Sequence, residues 1–200
     1  MAAGLLLLTG GQGRRFGAPK HLQPHPGGGS WGGHLVDVFA AVFPGGPIQL
    51  LGAALPDRPE LEPMSDPRAG PAMALRHWAA RCQEHPQRWW IVACDQIHWT
   101  PATLDAWHQA VRAADPGAGH WVLARVGGRI QPLGGFLADA LVPGLLAGSS
   151  ASLMSLVETL PCLILDAEGD AWLDVDTPEG IRWPGSGGPS KLGDPSSEVP

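Results

Sequence analysis

The chain of 200 residues has no asparagine, no tyrosine and only two lysines. Eleven arginines complete its 13 basic residues, which face 19 acidic ones, and the formal net charge is −6. That balance argues against a nucleic-acid-binding surface built on bulk positive charge, though it leaves room for a local basic pocket. Cysteine is scarce. Cys82, Cys94 and Cys162 are odd in number and form no C-x-x-C pair, which disfavours a disulfide framework or a zinc knuckle and fits a reducing cytoplasm. Long apolar runs are missing too. The opening MAAGLLLLTGG has neither a basic flank nor an A-x-A cleavage pattern and is far too short to span a bilayer. It reads as a buried strand.

What is abundant is glycine (28), proline (21) and tryptophan (nine). The bias makes any single Gly or Trp a weak signal, and rarity becomes the better guide. Lys191 lies in a Gly/Ser/Pro tail, so Lys20 is the only lysine of the folded part. Hydrophobic residues make up 44% and charged residues 16%, which predicts a globular body rather than a disordered one. Length suits one domain, expected over residues 1–183, with residues 184–200 as a disordered tail.

Leu5 to Leu8, Ile48 to Leu51 and Trp89 to Cys94 are short apolar runs, read as strands buried on both faces. Helical spacing predicts helices over His34 to Phe43 and Ala72 to Cys82. Another is expected from the Thr100-Pro101 start to about Ala114. Gln12 to Gly33 is expected to be irregular, and Pro56 to Pro67, with four prolines, a loop. Trp121 to Val126 and Ile130 to Leu133 around Gly127-Gly128 predict a hairpin. Phe136 to Leu146 and Ser152 to Leu160 read as helices, and Leu163 to Leu165 and Trp172 to Val175 as late strands. Alternating strands and helices over the first 115 residues predict an α/β sheet with helices on both faces.

The most informative segment follows the first strand: Leu8-Thr9-Gly10-Gly11-Gln12-Gly13-Arg14-Arg15-Phe16-Gly17-Ala18-Pro19-Lys20. Glycines allow backbone amides to converge on phosphate oxygens. Arg14, Arg15 and Lys20 place three cations within seven residues, at the carboxyl end of a strand where α/β sheets bind ligands. The segment is not a P-loop, because Ala18-Pro19 separates Gly17 from Lys20 and His21 stands where Ser or Thr is needed. Nor is it a dinucleotide fingerprint, being one residue too long.

The loop does resemble the signature L-A-x-G-x-G-x-R-M-G-x-x-K of nucleotidyltransferases, and in particular the molybdenum cofactor guanylyltransferase family. Further motifs follow in family order: Asp66-x-x-x-Gly70-Pro71, Ala93-Cys94-Asp95, Arg129-Ile130-Gln131-Pro132-Leu133, and Asp174-Val175-Asp176-Thr177-Pro178-Glu179. The resemblance covers about residues 5 to 182. It implies a three-layer Rossmann-like nucleotidyltransferase fold, with a mostly parallel sheet and an antiparallel element in the second half. The implied reaction is transfer of GMP from GTP to the phosphate of molybdopterin, with release of pyrophosphate and dependence on Mg²⁺.

On that reading Arg14, Lys20 and Asp95 carry catalysis. Leu8, Thr9, Gly10, Gly11, Gly13, Arg15, Asp66, Gln131 and Asp174 contact the substrates, and Asp95 and Asp176 hold the metal. A hard divalent ion suits carboxylate oxygens, phosphates and water. Asp174 and Asp176, two apart, would share a face of a strand, and Asp176 reads equally as the cap of a helix starting at Thr177-Pro178. A molybdoenzyme or its chaperone is the expected protein partner, with no nucleic acid and no membrane.

Two departures from the family keep other substrates open. Its Asn on the loop after strand two is replaced by Gly52-Ala53, and its N-x-N-T-P-E segment has Asp at both Asn positions. CTP in place of GTP, a sugar phosphate acceptor, or a non-catalytic cofactor-delivery module are the alternatives. Other motifs are set aside. Gly28-Gly29-Ser30-Trp31-Gly32 fits G-x-S-x-G but lacks the preceding strand of a nucleophile elbow. His21 and His25 cannot form a helical zinc pair across Pro24. His98 is read as a core or surface histidine, and Trp78, Trp89, Trp90 and Trp99 as core.

Overall fold

The computed structural model describes residues 3–10, 17–147 and 152–177. In chain order the elements are β1 (Ala3–Leu8), α1 (Trp31–Val42), β2 (Ile48–Leu51), β3 (Pro63–Met64), α2 (Pro71–Ala79), β4 (Arg88–Ala93), α3 (Pro101–Ala114), β5 (Trp121–Val126), β6 (Arg129–Ala138), α4 (Gly144–Ala147), α5 (Leu153–Thr159) and β7 (Cys162–Asp166). The seven strands form one sheet in the order β3-β2-β1-β4-β6-β5-β7. All neighbours are parallel except the two pairs made by β6. The architecture is thus the mostly parallel, Rossmann-like three-layer α/β arrangement expected, with its antiparallel element in the second half.

Alternation along the central strands builds both outer layers. Leu5, Leu7, Trp90 and Val92 face α1 and α3, packing with Leu35, Phe39, Leu104 and Val111. Leu6, Trp89 and Ile91 face α2 and the later helices, packing with Leu75, Trp78, Leu145 and Leu156. Trp78, Trp89, Trp90 and Trp99 are at most 1% exposed, so none can stack on a ligand.

Helix α3 starts where the Thr100-Pro101 signal puts it. Thr100 accepts from the Thr103 amide, and Thr103 closes a reciprocal capping box. Helix α1 starts three residues before the expected His34. Ser30 caps it by accepting from the Gly33 amide at 2.9 Å, and Asp57 grips Ser30 through its amide (2.7 Å) and its hydroxyl (2.9 Å). Ser30 is therefore a helix cap and not a nucleophile. The proline-rich 56–67 segment is not wholly loop, since Pro63–Met64 pairs with the end of β2.

Two expectations in the second half are corrected. Phe136 to Leu146 is not one helix. Phe136, Leu137 and Ala138 pair with Trp90, Trp89 and Arg88, and only Asp139–Leu141 and Gly144–Ala147 turn helically. A short apolar run does not distinguish strand from buried helix by periodicity; the open edge of β4 decides it. Likewise Trp172–Val175 is not a strand. Asp170–Trp172 is a single 3₁₀ turn, and the chain leaves it extended but outside the sheet.

A buried ion pair ties the start of β4 to the end of α3. The Arg88 guanidinium lies 3.1 Å from the Asp115 carboxylate, and both residues are buried. Burial opposes ionisation of Asp115, but hydrogen bonds from His120, the Gly119 amide and Arg88 outweigh it and bring its pKa down to about 2. No helix among the described residues is long and apolar enough to cross a membrane.

Candidate nucleotide and metal site

Leu8 is in register with Leu51 on one side and Ala93 on the other, so β1, β2 and β4 end level at one rim of the sheet. Two polar clusters sit on that rim, one beyond β1 and β4 and one beyond β1, β2 and β3.

The first is built on Lys20. The ion pairs run from its ammonium to Asp95 Oδ2 at 3.0 Å and to Asp176 Oδ1 at 2.8 Å. Residues 75 and 156 positions away in sequence thus meet on one nitrogen. Asp95 emerges directly from β4. Val175 donates its amide to the Asp95 carbonyl at 3.1 Å and buries its side chain with Trp31 and Ile97. With Val175 turned inward, Asp174 and Asp176 face outward from the extended chain. The two-residue spacing therefore works as expected, without a strand. Thr100 already caps α3, so Asp95 is not a helix cap.

The electrostatics are those of an under-neutralised acidic cluster. Desolvation pulls the Lys20 ammonium down, but its bonds to Asp176 and Asp95 outweigh that and hold its pKa above the ordinary lysine value. Asp174 reaches solvent at the surface. Even so, the protein around its carboxyl, and then the charges of Asp95 and Asp176, push its pKa up to about 6. Asp95 Oδ1 is buried and accepts no hydrogen bond. An orphaned carboxylate oxygen beside further carboxylates is a donor set that suits a hard divalent cation. Among the described residues no group of three or more His, Cys, Asp or Glu side chains could hold a metal alone. An ion here would take one or two carboxylates and complete its shell with phosphate and water, the habit of Mg²⁺. Cys94 offers no rival chemistry: burial, and then the Asp95 charge, push its thiol up to about 12.

The second cluster lines a recess of about 420 Å³. It is lined by Thr9, Gly10, Gly52 and Ala53 just after β1 and β2, by Ser65, Asp66 and Arg68 after β3, and by Pro19 and His21 on either side of Lys20 in the chain. The first four mark a tight meeting of two loops. The Thr9 amide donates to the Leu51 carbonyl at 2.9 Å, and its hydroxyl bonds both the carbonyl and the amide of Ala53 at 2.8 Å. Thr9 therefore lines the recess, but its amide is committed to extending the sheet and is not free for a phosphate. Gly52 has φ +130°, and a Cβ there would overlap the Gly10 backbone, so no other residue fits the crossing. Asp66 Oδ1 accepts from the Arg68 amide at 2.8 Å, and its other oxygen lies over Gly10, where a Cβ would collide with it.

Lys20 and Asp95 are thus brought together with Asp176 and Asp174, and Thr9, Gly10 and Asp66 gather at the adjoining recess; Leu8, at the end of β1, packs against the core instead of lining it. Gln131, half-buried on β6 opposite Ala124, neither borders the recess nor bonds the Lys20 cluster. Gly11, Gly13, Arg14 and Arg15, and the Pro178-Glu179 end of the last motif, lie outside the described residues. Pro19, His21, Ser65 and Arg68 were not anticipated at the recess. For His21 the signal was available in its position next to Lys20.

The MobA-like NTP transferase domain matches residues 5–163 of the chain. Solved structures share the fold at low identity. The Rv0371c protein of Mycobacterium tuberculosis H37Rv is 21% identical with a TM-score of 0.66, covering 90% of this chain and 96% of that one. The same protein has been solved in complex with manganese, at 19% identity and a TM-score of 0.63 over the same shares. The molybdopterin-guanine dinucleotide biosynthesis protein A of Archaeoglobus fulgidus is 15% identical with a TM-score of 0.65, covering 88% of this chain and 94% of that one. No curated protein matches by sequence. With a domain match over most of its length and the matching sheet architecture, the chain belongs to the MobA-like NTP transferase family and is a nucleotidyltransferase.

Proposed function

We propose that this enzyme transfers GMP from GTP to the terminal phosphate of a molybdopterin-type cofactor, releases pyrophosphate and depends on Mg²⁺. The single observation that carries the reading is the meeting of Lys20, Asp95 and Asp176 at the end of β1 and β4, beside a recess sized for a nucleoside. Asp95 and Asp176 would hold the metal, which when bound would offset charge on the phosphates. The Mycobacterium tuberculosis protein of the same fold, solved in complex with manganese, supports the use of a divalent ion.

Lys20 neutralises the triphosphate, and the resemblance assigns the remaining phosphate contacts to Gly10, Gly11, Gly13, Arg14 and Arg15. Asp66 stands where a nucleoside would enter. A phosphate monoester acceptor is already ionised near neutral pH, so the reaction needs positioning and charge neutralisation rather than a side-chain base. The Cys94 thiol, held at about 12, is consistent with that economy. The product would pass to a molybdoenzyme or its chaperone in a reducing cytoplasm.

CTP in place of GTP is the second reading, favoured by the loop after β2. Ala53 brings no side-chain polar group to the recess, and its amide and carbonyl are both taken by Thr9. Pyrophosphate release with each of the four NTPs, in the presence of the metal-loaded pterin acceptor, separates the two. Asp95→Ala should abolish metal-dependent release and leave a folded protein. Turnover near the wild-type rate would remove Asp95 from the metal site.

A further inference from the structure

Among the described residues, Arg68 is the one lysine or arginine that borders the recess. It is exposed, and its guanidinium bonds to no described residue. The neighbouring cation is already committed, since Lys20 spends its ammonium on Asp95 and Asp176. An arginine presents five N–H donors in a planar fork and no acceptor. An unbonded one beside a concave site therefore suits a ligand with adjacent acceptor atoms.

The backbone sets Arg68 apart as well. Its φ is +56°, in the left-handed region that favours glycine. Asp66 Oδ1 holds the turn by accepting from the Arg68 amide at 2.8 Å. In a chain with 28 glycines, an arginine stands where glycine is the easier residue, so the turn alone does not account for it. The other oxygen of Asp66, which lies over Gly10, accepts from no described residue. The recess is thus bordered, two residues apart, by a carboxylate oxygen and a guanidinium fork that are both unspent. It lies beyond β1, β2 and β3, whereas the Lys20 cluster lies beyond β1 and β4. A triphosphate drawn to that cluster leaves its nucleoside on the side of Asp66 and Arg68.

We propose that Arg68 is a specificity-determining residue that reads guanine, its fork donating to O6 and N7 while the Asp66 carboxylate accepts from N1–H and the 2-amino group. Guanine carries its two acceptors side by side on that edge. Adenine has an amino donor in place of O6, and cytosine likewise turns an amino donor outward there. The inference rests on the nucleotidyltransferase reading of the site and deepens it by assigning the base.

The test is calorimetric binding of GTP, 7-deaza-GTP, ATP, CTP and inorganic tripolyphosphate, with Mg²⁺ present, to wild-type protein and to Arg68→Gly. Glycine adopts φ +56° without strain, so the substitution removes the side chain and keeps the turn. Wild-type protein should prefer GTP. Arg68→Gly should lose roughly 10–100-fold in GTP affinity, the range of a bidentate arginine–guanine contact. Tripolyphosphate affinity should not change. 7-Deaza-GTP lacks the N7 acceptor and should bind wild type roughly tenfold more weakly than GTP, a difference that disappears in Arg68→Gly. A melting temperature checks the fold of the variant; should it melt early, the wild-type comparison of GTP with 7-deaza-GTP decides alone. Equal losses for GTP and tripolyphosphate would make Arg68 a phosphate ligand and overturn the proposal. So would unchanged GTP affinity, equal wild-type binding of GTP and 7-deaza-GTP, or a wild-type preference for ATP or CTP. If wild-type protein binds tripolyphosphate but no nucleotide, the nucleotidyltransferase reading fails first and takes this inference with it.

Discussion

Replacing Lys20 with methionine keeps the stem of the side chain and removes its charge. In the free protein the ammonium lies 3.0 Å from Asp95 and 2.8 Å from Asp176, and Asp174 adds a third carboxyl to the group. The side chain of Asp95 is 21% exposed but that of Asp176 is 60% exposed, so solvent screens the second contact. Breaking a fully buried pair costs roughly 3–5 kcal/mol. With one partner largely screened, the expected loss is about 2 kcal/mol, which lowers the melting temperature by about 4–8 °C for a chain of this size.

The same substitution leaves the carboxylates without their cation. Divalent-metal affinity in the absence of nucleotide should therefore rise, and added Mg²⁺ or Mn²⁺ should raise the melting temperature of the variant more than that of the wild type. Catalysis should move the other way, falling on the order of 10²–10³-fold with the loss of one electrostatic partner of the phosphates. Thermal melts with and without metal, together with pyrophosphate release, read all three effects. A variant as stable as wild type with unchanged metal affinity would refute the account of Lys20 as the internal counter-ion of this cluster.

Three further expectations concern the scaffold. Asp115→Ala leaves the buried Arg88 unpaired and should cost roughly 3–5 kcal/mol in chemical denaturation, with activity per folded molecule unchanged. Gly52→Ala forces a side chain into φ +130° against the Gly10 backbone, a strain of about 1–3 kcal/mol, and should weaken nucleotide binding along with stability. His108 sits against Phe43 and Phe136, with its pKa lowered to about 4 by burial and then by the charges of Arg112 and Arg88. Its unfolded pKa is near 6.5, so the unfolded chain binds the extra proton first. The contribution of His108 is complete above about pH 6.5 and is lost as pH falls towards 4, at about 1.4 kcal/mol per pH unit. Urea unfolding across that window should flatten by about one proton in His108→Gln, and an unchanged slope would contradict the assignment.

Much of this site could be read along the chain, because its determinants are local. The apolar runs Leu5–Leu8 and Trp89–Cys94, cut off by Thr9-Gly10 and by Asp95, were legible as strands, and β1 and β4 do end level at one rim. Thr100-Pro101 marked the start of α3 because capping is settled by three or four neighbouring residues. The period-two spacing of Asp174 and Asp176 carried over even where the strand did not, since extended backbone alone turns alternate side chains the same way.

What pattern reading missed depends on partners distant in the chain. Phe136–Ala138 became strand because β4 needed a neighbour. The Thr9 amide was spent on Leu51 because β2 ends level with β1. The ammonium of Lys20 came to bridge two carboxylates because Val175 is buried against Trp31 and Ile97. Composition and spacing dictate which residues can carry charge or leave the sheet; which of those groups stay unpaired, and so remain available to a ligand, is settled when long-range packing uses up the rest.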